Sequence, residues 1–231
     1  LRFKAGALEL DFPESKIRLD AQGRVAQIER MENDASHRII EEFMLLANEC
    51  VAGRLSSSEG PALYRVHEAP DPQKVEEFAE FARVLGYRLD RQESRYRPKD
   101  FQKFVAQLEG KLEQRFLVYL MLRSFMQAHY SESNLGHFGL AAAEYTHFTS
   151  PIRRYPDLLV HRLLKECLFR QSSPDWREAM QSRLPELARH TSARERIADE
   201  AEREIEKIKK AQFMSDKIGE EFEAIVFSVS R

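Results

Sequence analysis

The stretch YTHFTSPIRRYPD, residues 145–157, places two adjacent arginines between two prolines. Ser150 precedes Pro151, and the residue before a proline is disfavoured in the helical conformation. Pro156, in contrast, fits the first turn of a helix, where its missing N–H is not needed. The pattern therefore predicts a short constrained loop over 150–155 and a helix that begins at Pro156. Such a loop holds its arginines in defined directions.

The predicted loop has the chemistry of an anion site. The start of a helix offers unpaired N–H groups and partial positive charge, and Arg153 adds a planar fork that can grip two phosphate oxygens. Alternatively, Arg153 and Arg154 pair with Asp157 or a neighbouring carboxylate and only fix the loop. The sequence leaves both interpretations open. Residues 147–170 contain Arg153, Arg154, Arg162, Lys165 and Arg170 against Asp157 and Glu166.

A second basic stretch lies at residues 83–99, where Tyr87 and Tyr96 interleave with the arginines. Tyrosines in such a setting could stack on the bases of a single strand. An exposed run of charge is also typical of a solvated loop, and the sequence does not separate the two interpretations. The basic residues are Arg83, Arg88, Arg91, Arg95, Arg97 and Lys99, and the acids are Asp90 and Glu93.

Helical periodicity extends on both sides of the loop. The predicted helices span residues 34–53, 72–85, 98–129 (as two helices separated near Gly110), 156–169 and 184–216. In the first helix, Ile39, Ile40, Phe43 and Met44 recur at helical spacing and are predicted to form a buried face. The last helix carries only a narrow apolar stripe, Ile197, Ala201, Ile205 and Ile208.

Strand patterns lie near the two ends of the chain. Residues 16–28 alternate around a glycine-containing turn and predict a hairpin. An apolar run that begins at Phe222 predicts a further strand. The predicted fold class is therefore α+β, predominantly helical, with short strands near both ends.

The composition excludes several classes of protein. The chain has 231 residues, of which 42% are hydrophobic, so a buried core is possible and disordered and fibrous classes are excluded. The formal net charge of -2 does not by itself indicate a polyanionic partner. Cys50 and Cys167 cannot form a disulfide framework, and no apolar run is long enough to span a membrane. We expect a soluble protein of a reducing compartment, the cytoplasm.

The sequence predicts no metal site within this chain. Phosphodiester hydrolysis with Mg²⁺ needs several converging carboxylates, and no tight aspartate cluster occurs. Adjacent acids such as Glu41 and Glu42 lie on predicted helices, where neighbours point about 100° apart. Histidine spacing and the apolar surroundings of the cysteines also argue against zinc and thiol catalysis. His137 and His147 are both interpreted as structural, and His147 is the better functional candidate of the two because it lies in the loop.

Residues 147–158, followed by His161-Arg162, closely resemble the signature of the ribonuclease II/ribonuclease R family of processive 3′-to-5′ exoribonucleases. Three further blocks, at residues 33–48, 62–67 and 136–141, are similar to the same family. The last block, Gly-His-Phe-Gly-Leu-Ala, and the Arg-Tyr-Pro-Asp form of the signature resemble the ribonuclease R branch. The resemblance spans almost the whole chain.

This resemblance implies a domain organisation. Residues 1–218 correspond to the C-terminal part of the family's catalytic (RNB) domain, and residues 219–231 to the start of an OB-type RNA-binding domain. The aspartates that bind the catalytic Mg²⁺ in this family are expected to precede Leu1. The implied partners are single-stranded RNA, the N-terminal part of the same catalytic domain and flanking RNA-binding domains. Without its metal ligands, the chain alone is expected to be inactive.

The resemblance also implies roles for individual residues. Arg153 corresponds to an arginine that holds the scissile phosphate, and Glu202 to a glutamate near the 3′-terminal nucleotide; both are carried over as catalytic. Leu10 stands where the family has a phenylalanine on which the terminal base stacks, so that stacking is lost here. The residues predicted to contact RNA are Glu41, His147, Ser150, Arg154 and Tyr155.

The implied activity is processive hydrolysis of single-stranded RNA from its 3′ end to nucleoside 5′-monophosphates. The rival hypothesis is a helical RNA-binding module that never had a metal site. A third hypothesis, a purely structural helical domain, leaves the proline-bracketed arginines unexplained. Sequence upstream of Leu1 would separate the first two hypotheses, because only the nuclease needs an aspartate cluster there.

Overall fold

The computed structural model describes residues 2–8, 15–31, 34–91, 95–170 and 173–223. Its helices are α1 (Arg2–Ala5), α2 (Ala35–Ser56), α3 (Pro72–Val84), α4 (Pro98–Gln107), α5 (Gln114–Arg123), α6 (Tyr155–Lys165) and α7 (Pro174–Ser215). Its strands are β1 (Ser15–Leu19), β2 (Val25–Arg30), β3 (Tyr64–Val66) and β4 (His129–Ser131). A single 3₁₀ turn covers Phe138–Leu140, and a π-helical turn, Glu166–Arg170, follows α6. The α+β fold class, predominantly helical, is confirmed.

The chain divides into two compact units. The first unit comprises residues 1–10 and 40–192, and the second comprises residues 11–39 and 193–231. All buried residues among those described belong to the first unit. The second unit contains the antiparallel β1–β2 hairpin, in which Ile17 pairs with Ile28, and the distal part of α7. The predicted hairpin is therefore confirmed.

Two hydrophobic clusters form the interior of the first unit. One cluster joins the C-terminal half of α2, β3, β4, α6 and the first part of α7; its buried members include Leu55, Leu63, Val66, Leu159, Leu163 and Leu184. The other joins α3, α4 and α5, with Val75, Phe78, Phe101, Phe104, Leu117 and Met121 buried. The first cluster supports the predicted loop, because α6 follows the loop directly.

The structure confirms α3 and the α4–α5 pair where the sequence carries end signals. The Asp71 carboxylate accepts a hydrogen bond from the Gln73 N–H at 2.9 Å and caps α3, and Pro72 occupies its first turn. Gly110, at φ +71°, lies between α4 and α5 in the left-handed region that glycine tolerates best. The predicted break near Gly110 is therefore confirmed.

The predicted buried face of α2 is wrong. Ile39, Ile40, Phe43 and Met44 are all exposed, and Phe43 retains 66% of its accessible surface. The helix instead buries Asn48, Ala52 and Leu55, which lie further along at helical spacing. Apolar periodicity identifies the apolar face of a helix, but it does not tell whether another element covers that face.

The predicted start of the last helix is also wrong. Helix α7 begins at Pro174 and continues through Pro185. The Ser173 hydroxyl accepts a hydrogen bond from the Trp176 N–H at 3.3 Å, so the polar Ser-Pro stretch starts the helix rather than separating two elements. Ile197, Ile205 and Ile208 of the predicted apolar stripe are each about half exposed.

A second small sheet in the middle of the chain lies outside the sequence prediction. Strands β3 and β4 are antiparallel, with Arg65 opposite Tyr130. The strand predicted beyond Phe222 lies mostly in residues 224–231, outside the described residues, as does Leu10. No helix in the described ranges is long and apolar enough to cross a membrane.

Candidate functional site

The arginine loop, residues 145–154, is tied to the first turn of α6 by one buried carboxylate. Asp157 has no accessible surface, and its Oδ1 accepts hydrogen bonds from the Ser150 N–H and from Nη2 of Arg154, both at 2.8 Å. The Ser150 carbonyl accepts a further bond from the Arg154 N–H at 3.0 Å. The loop therefore closes onto the helix start, as the two prolines predict.

The upstream half of the arginine loop is held by a buried amide on α2. Asn48 is 3% exposed; its Oδ1 accepts from the Phe148 N–H at 3.0 Å, and its Nδ2 donates to the Tyr145 hydroxyl at 2.9 Å. The buried Thr146 hydroxyl donates to the Leu63 carbonyl at 2.6 Å. Both bonding groups of the Asn48 side chain are thus committed to this loop.

A stacked pair adds a contact between the arginine loop and α6. The rings of Phe148 and His161 lie parallel with their centroids 4.0 Å apart. Nε2 of His161 is 2.9 Å from the Phe148 carbonyl oxygen. Phe148 is therefore bonded at its N–H by α2 and at its carbonyl by α6.

The two adjacent arginines have different surroundings. The Arg154 side chain is 22% exposed and forms the ion pair with the buried Asp157. Arg153 is exposed, next to a fully exposed Ile152, and its side chain has no hydrogen bond or ion pair within the described ranges. Of the two interpretations that the sequence leaves open, pairing applies to Arg154. The Arg153 guanidinium keeps its five donors available to a ligand.

Two histidines of this region, His137 and His147, carry no charge at neutral pH. Burial, followed by the positive charges of Arg154 and Arg65, lowers the pKa of His147 to about 2. Burial is also the main cause that lowers the pKa of His137 to about 3. Nδ1 of His147 is 2.8 Å from the Tyr130 hydroxyl. The positive charge near the loop therefore comes from arginines.

The remaining predicted site residues lie in different parts of the chain. Ser150, Arg154 and Tyr155 are brought together with Arg153 by the loop itself, and Tyr155 is half exposed as the first residue of α6. His147 belongs to the N-terminal half of the same loop. Their contacts with RNA, like the predicted role of each, stay predictions.

The two predicted glutamates are exposed on long helices. Glu41 lies on α2 in the first unit, and Glu202 lies on α7 in the second unit. Neither makes an ion pair with another described residue. The proximity of Glu202 to a terminal nucleotide therefore stays a prediction from the family resemblance.

Sequence reasoning missed Asn48 and Tyr130, which contact the arginine loop from α2 and β4. A signal for Asn48 exists, because a polar residue interrupts the apolar face of α2 and is then expected to need a buried partner. Tyr130 carries no such signal, since its position opposite the loop depends on the β3–β4 pairing.

The suggestion that Tyr87 and Tyr96 serve as stacking platforms is not supported. Both rings pack against the second hydrophobic cluster. The Tyr87 hydroxyl donates to Glu113 at 3.2 Å, and the Tyr96 hydroxyl donates to Glu76 at 2.9 Å. These aromatics lie in a basic stretch because they anchor it to the core.

The residues that the structure describes do not fit a magnesium site. Within the described ranges, no group of three or more histidine, cysteine, aspartate or glutamate side chains is placed to hold a metal ion. Hard cations such as Mg²⁺ require converging oxygen ligands. The chemistry that the described residues can supply is the binding and charge stabilisation of an anion.

Comparison with known proteins places the chain in a family. The model of the RNB domain matches residues 1–170. The chain is 43% identical over 231 residues to Ribonuclease R 1 of Lactococcus lactis, and 46% identical over 228 residues to Ribonuclease R of Aquifex aeolicus. These alignments cover 100% and 99% of this chain but only 28% and 32% of the relatives, so the chain spans about a third of their length.

Solved structures give the same result. The chain superposes with a TM-score of 0.93 on Mycoplasma genitalium RNase R in complex with double-stranded RNA, at 29% identity, covering 98% of this chain and 41% of that one. The same protein in complex with ribose-methylated single-stranded RNA gives a TM-score of 0.89 at 29% identity, covering 95% and 34%. Sequence and fold agree over nearly the entire length, and the chain belongs to the RNB domain family.

Proposed function

We propose that this chain is part of the catalytic domain of a processive 3′-to-5′ exoribonuclease that hydrolyses single-stranded RNA to nucleoside 5′-monophosphates. The observation that carries the proposal is the exposed Arg153, whose side chain pairs with no other described residue, on a loop anchored by Asp157 and Asn48. Membership of the RNB family and similarity to proteins named ribonuclease R support it.

In the proposed reaction, water attacks the phosphorus of the last phosphodiester, and the bond to the preceding O3′ breaks. The terminal nucleotide leaves with the phosphate on its 5′ oxygen. Negative charge grows on the phosphate oxygens during this displacement. Arg153 would bind those oxygens in a forked geometry from a loop whose backbone is already fixed.

The proposal assigns the other parts of the site to the rest of the enzyme. The metal dependence implied by the family resemblance would require ligands outside the described residues of this chain. Residues 219–231 would begin an OB-type RNA-binding domain, and the remainder of the catalytic domain and flanking RNA-binding domains would complete the enzyme. The cytoplasm is the compartment in which such an enzyme would meet its RNA.

Single-stranded RNA is the proposed substrate. Glu41, His147, Ser150, Arg154 and Tyr155 are kept as candidate RNA contacts, and Glu202 as a candidate catalytic residue near the 3′ end. The similarity to a structure of a relative with bound single-stranded RNA supports the choice of this substrate class. Arg154 would act mainly by fixing the loop, since its guanidinium already pairs with Asp157.

The test follows a 5′-labelled single-stranded RNA with Mg²⁺ present, in parallel for the 231-residue chain and for a full-length protein that contains it. We expect the full-length protein to shorten the RNA from the 3′ end and release nucleoside 5′-monophosphates. We expect the chain alone to bind RNA weakly, in a salt-sensitive manner, without shortening it.

The matched control is Arg54→Ala, which removes an exposed arginine at the far end of α2. It should leave shortening by the full-length protein intact, whereas Arg153→Ala should abolish most of it. Binding without any shortening by the full-length protein would favour the non-catalytic RNA-binding module. Shortening of the RNA by the chain alone would contradict the proposal that its active site is incomplete.

A further inference from the structure

We propose that Asn48 is a positioning residue for Arg153, an inference that rests on the proposed function. Asn48 lies on α2, about 100 positions before the loop residues that it binds. It is one of the few buried polar side chains of the first unit, at 3% exposure. Its role would be to set where the arginine loop presents the Arg153 guanidinium.

The chemistry of the contact suits an amide of this length. The Phe148 backbone needs an acceptor for its N–H, and the Tyr145 hydroxyl receives a donor. Asparagine supplies both from one planar group, whereas aspartate supplies only acceptors and alanine supplies neither. The two bonds fix the loop at two points three residues apart.

The position of Arg153 depends on such anchors because its own side chain has none in the described ranges. Before Arg153, the backbone is fixed at Phe148 by Asn48 and His161 and at Ser150 by Asp157. After Arg153, Asp157 holds the Arg154 side chain. Arg153 lies at the exposed tip between Ser150 and α6. A shift of either anchor would therefore move the guanidinium.

The hydrogen bonds of Asn48 point to a function beyond holding α2 in place. The same helix is already packed into the first hydrophobic cluster by Ala52 and Leu55, both fully buried. Both Asn48 bonds lead to the arginine loop and neither to the core. Losing them should displace the loop, and a displacement of about 1 Å can cost on the order of 100-fold in rate.

The test is a double-mutant cycle in the full-length protein that contains this chain, measured as kcat and KM for single-stranded RNA. Asn48→Ala should lower kcat on the order of 10- to 100-fold and change KM less than about twofold, since the lost interaction acts in the transition state. In an Arg153→Ala background, the same substitution should cause less than about a twofold further loss. Non-additivity of this kind shows that Asn48 acts through Arg153.

Two further variants keep the result interpretable. Leu117→Ala opens a cavity in the second hydrophobic cluster and should lower the melting temperature without lowering kcat below that temperature. Tyr145→Phe removes only the hydroxyl that receives the Asn48 amide, so it should give a smaller kcat loss of the same non-additive kind. If Asn48→Ala does not fold, Tyr145→Phe replaces it in the double-mutant cycle with Arg153→Ala.

The outcomes separate this inference from the proposed function. If the Asn48 and Arg153 substitutions lower kcat multiplicatively, or if Asn48→Ala leaves kcat unchanged, the positioning role is overturned. The proposed exoribonuclease activity is not affected by either result. An inactive wild-type protein would overturn the proposed function and this inference together. Non-additive losses with a normal Leu117→Ala control would support both.

Discussion

At the scale of single residues, Arg153 and Arg154 differ because only one of them neutralises a buried charge. Removing Arg154 would leave the fully buried Asp157 carboxylate without its cation. We predict that Arg154→Ala lowers the free energy of unfolding by roughly 2–4 kcal/mol, whereas Arg153→Ala, at an exposed position, changes it by less than about 0.5 kcal/mol. Urea unfolding of the 231-residue chain measures both. Equal effects of the two substitutions would contradict the assignment.

The partly buried histidines predict a loss of stability in acid. In the folded state, the pKa values of His137 and His147 lie near 3 and 2, while both groups take up a proton near pH 6.5 when unfolded. The unfolded state therefore binds more protons as the pH falls below 6.5. Their contribution to stability is complete above pH 6.5 and decreases by up to about 1.4 kcal/mol per pH unit for each histidine.

Urea unfolding at pH 7.5 and pH 5.0 tests this prediction. His147→Asn removes one of the two titrating groups and should reduce the pH dependence, although it lowers stability at pH 7.5. A wild-type chain equally stable at both pH values would refute the account of these histidines.

At the scale of elements, α2 has an exposed apolar half and a buried half. We predict that Phe43→Gln changes the free energy of unfolding of the chain by less than about 1 kcal/mol, because Phe43 is mostly exposed. Leu55→Ala should cost about 2–5 kcal/mol, because it opens a cavity in the first hydrophobic cluster. Both values come from chemical denaturation. A loss of several kcal/mol for Phe43→Gln would mean that this face is covered in solution.

The same elements show which parts of the fold were predictable. Helix α3 carries its own signals, Asp71 and Pro72, and its start follows from local chemistry. The three-residue strands β3 and β4 depend on a pairing between residues more than 60 positions apart, which no local pattern encodes. The exposed half of α2 was mispredicted because periodicity describes a face and not its neighbours.

The candidate site, like the fold, was predictable where local sequence signals decide it and not where long-range contacts do. The two prolines predict the loop and the helix start, and the family resemblance singled out Arg153. To predict that Arg154 forms an ion pair and Arg153 stays exposed, one must know where the fold buries Asp157. To predict that Asn48 anchors the loop, one must know that α2 packs against a loop about 100 residues later in the chain.

At the scale of the whole molecule, stability is predicted to be uneven. Both hydrophobic clusters lie in the first unit, and none of the described residues of the second unit is buried. Amide hydrogen exchange in the isolated 231-residue chain should therefore be slow in α6 and in residues 174–192. It should be faster in the hairpin and beyond residue 193, because these backbone groups open locally. Uniform protection along α7 would contradict this division.

The measurement that tests the central claim most directly compares turnover and RNA affinity for Arg153→Ala in the full-length protein that contains this chain. If Arg153 stabilises charge that grows on the scissile phosphate, the single-turnover rate should fall on the order of 100- to 1,000-fold. The dissociation constant for single-stranded RNA should then change only a few-fold. Equal losses in rate and affinity would contradict the claim, because they would make Arg153 a binding residue and not a group that acts in the transition state.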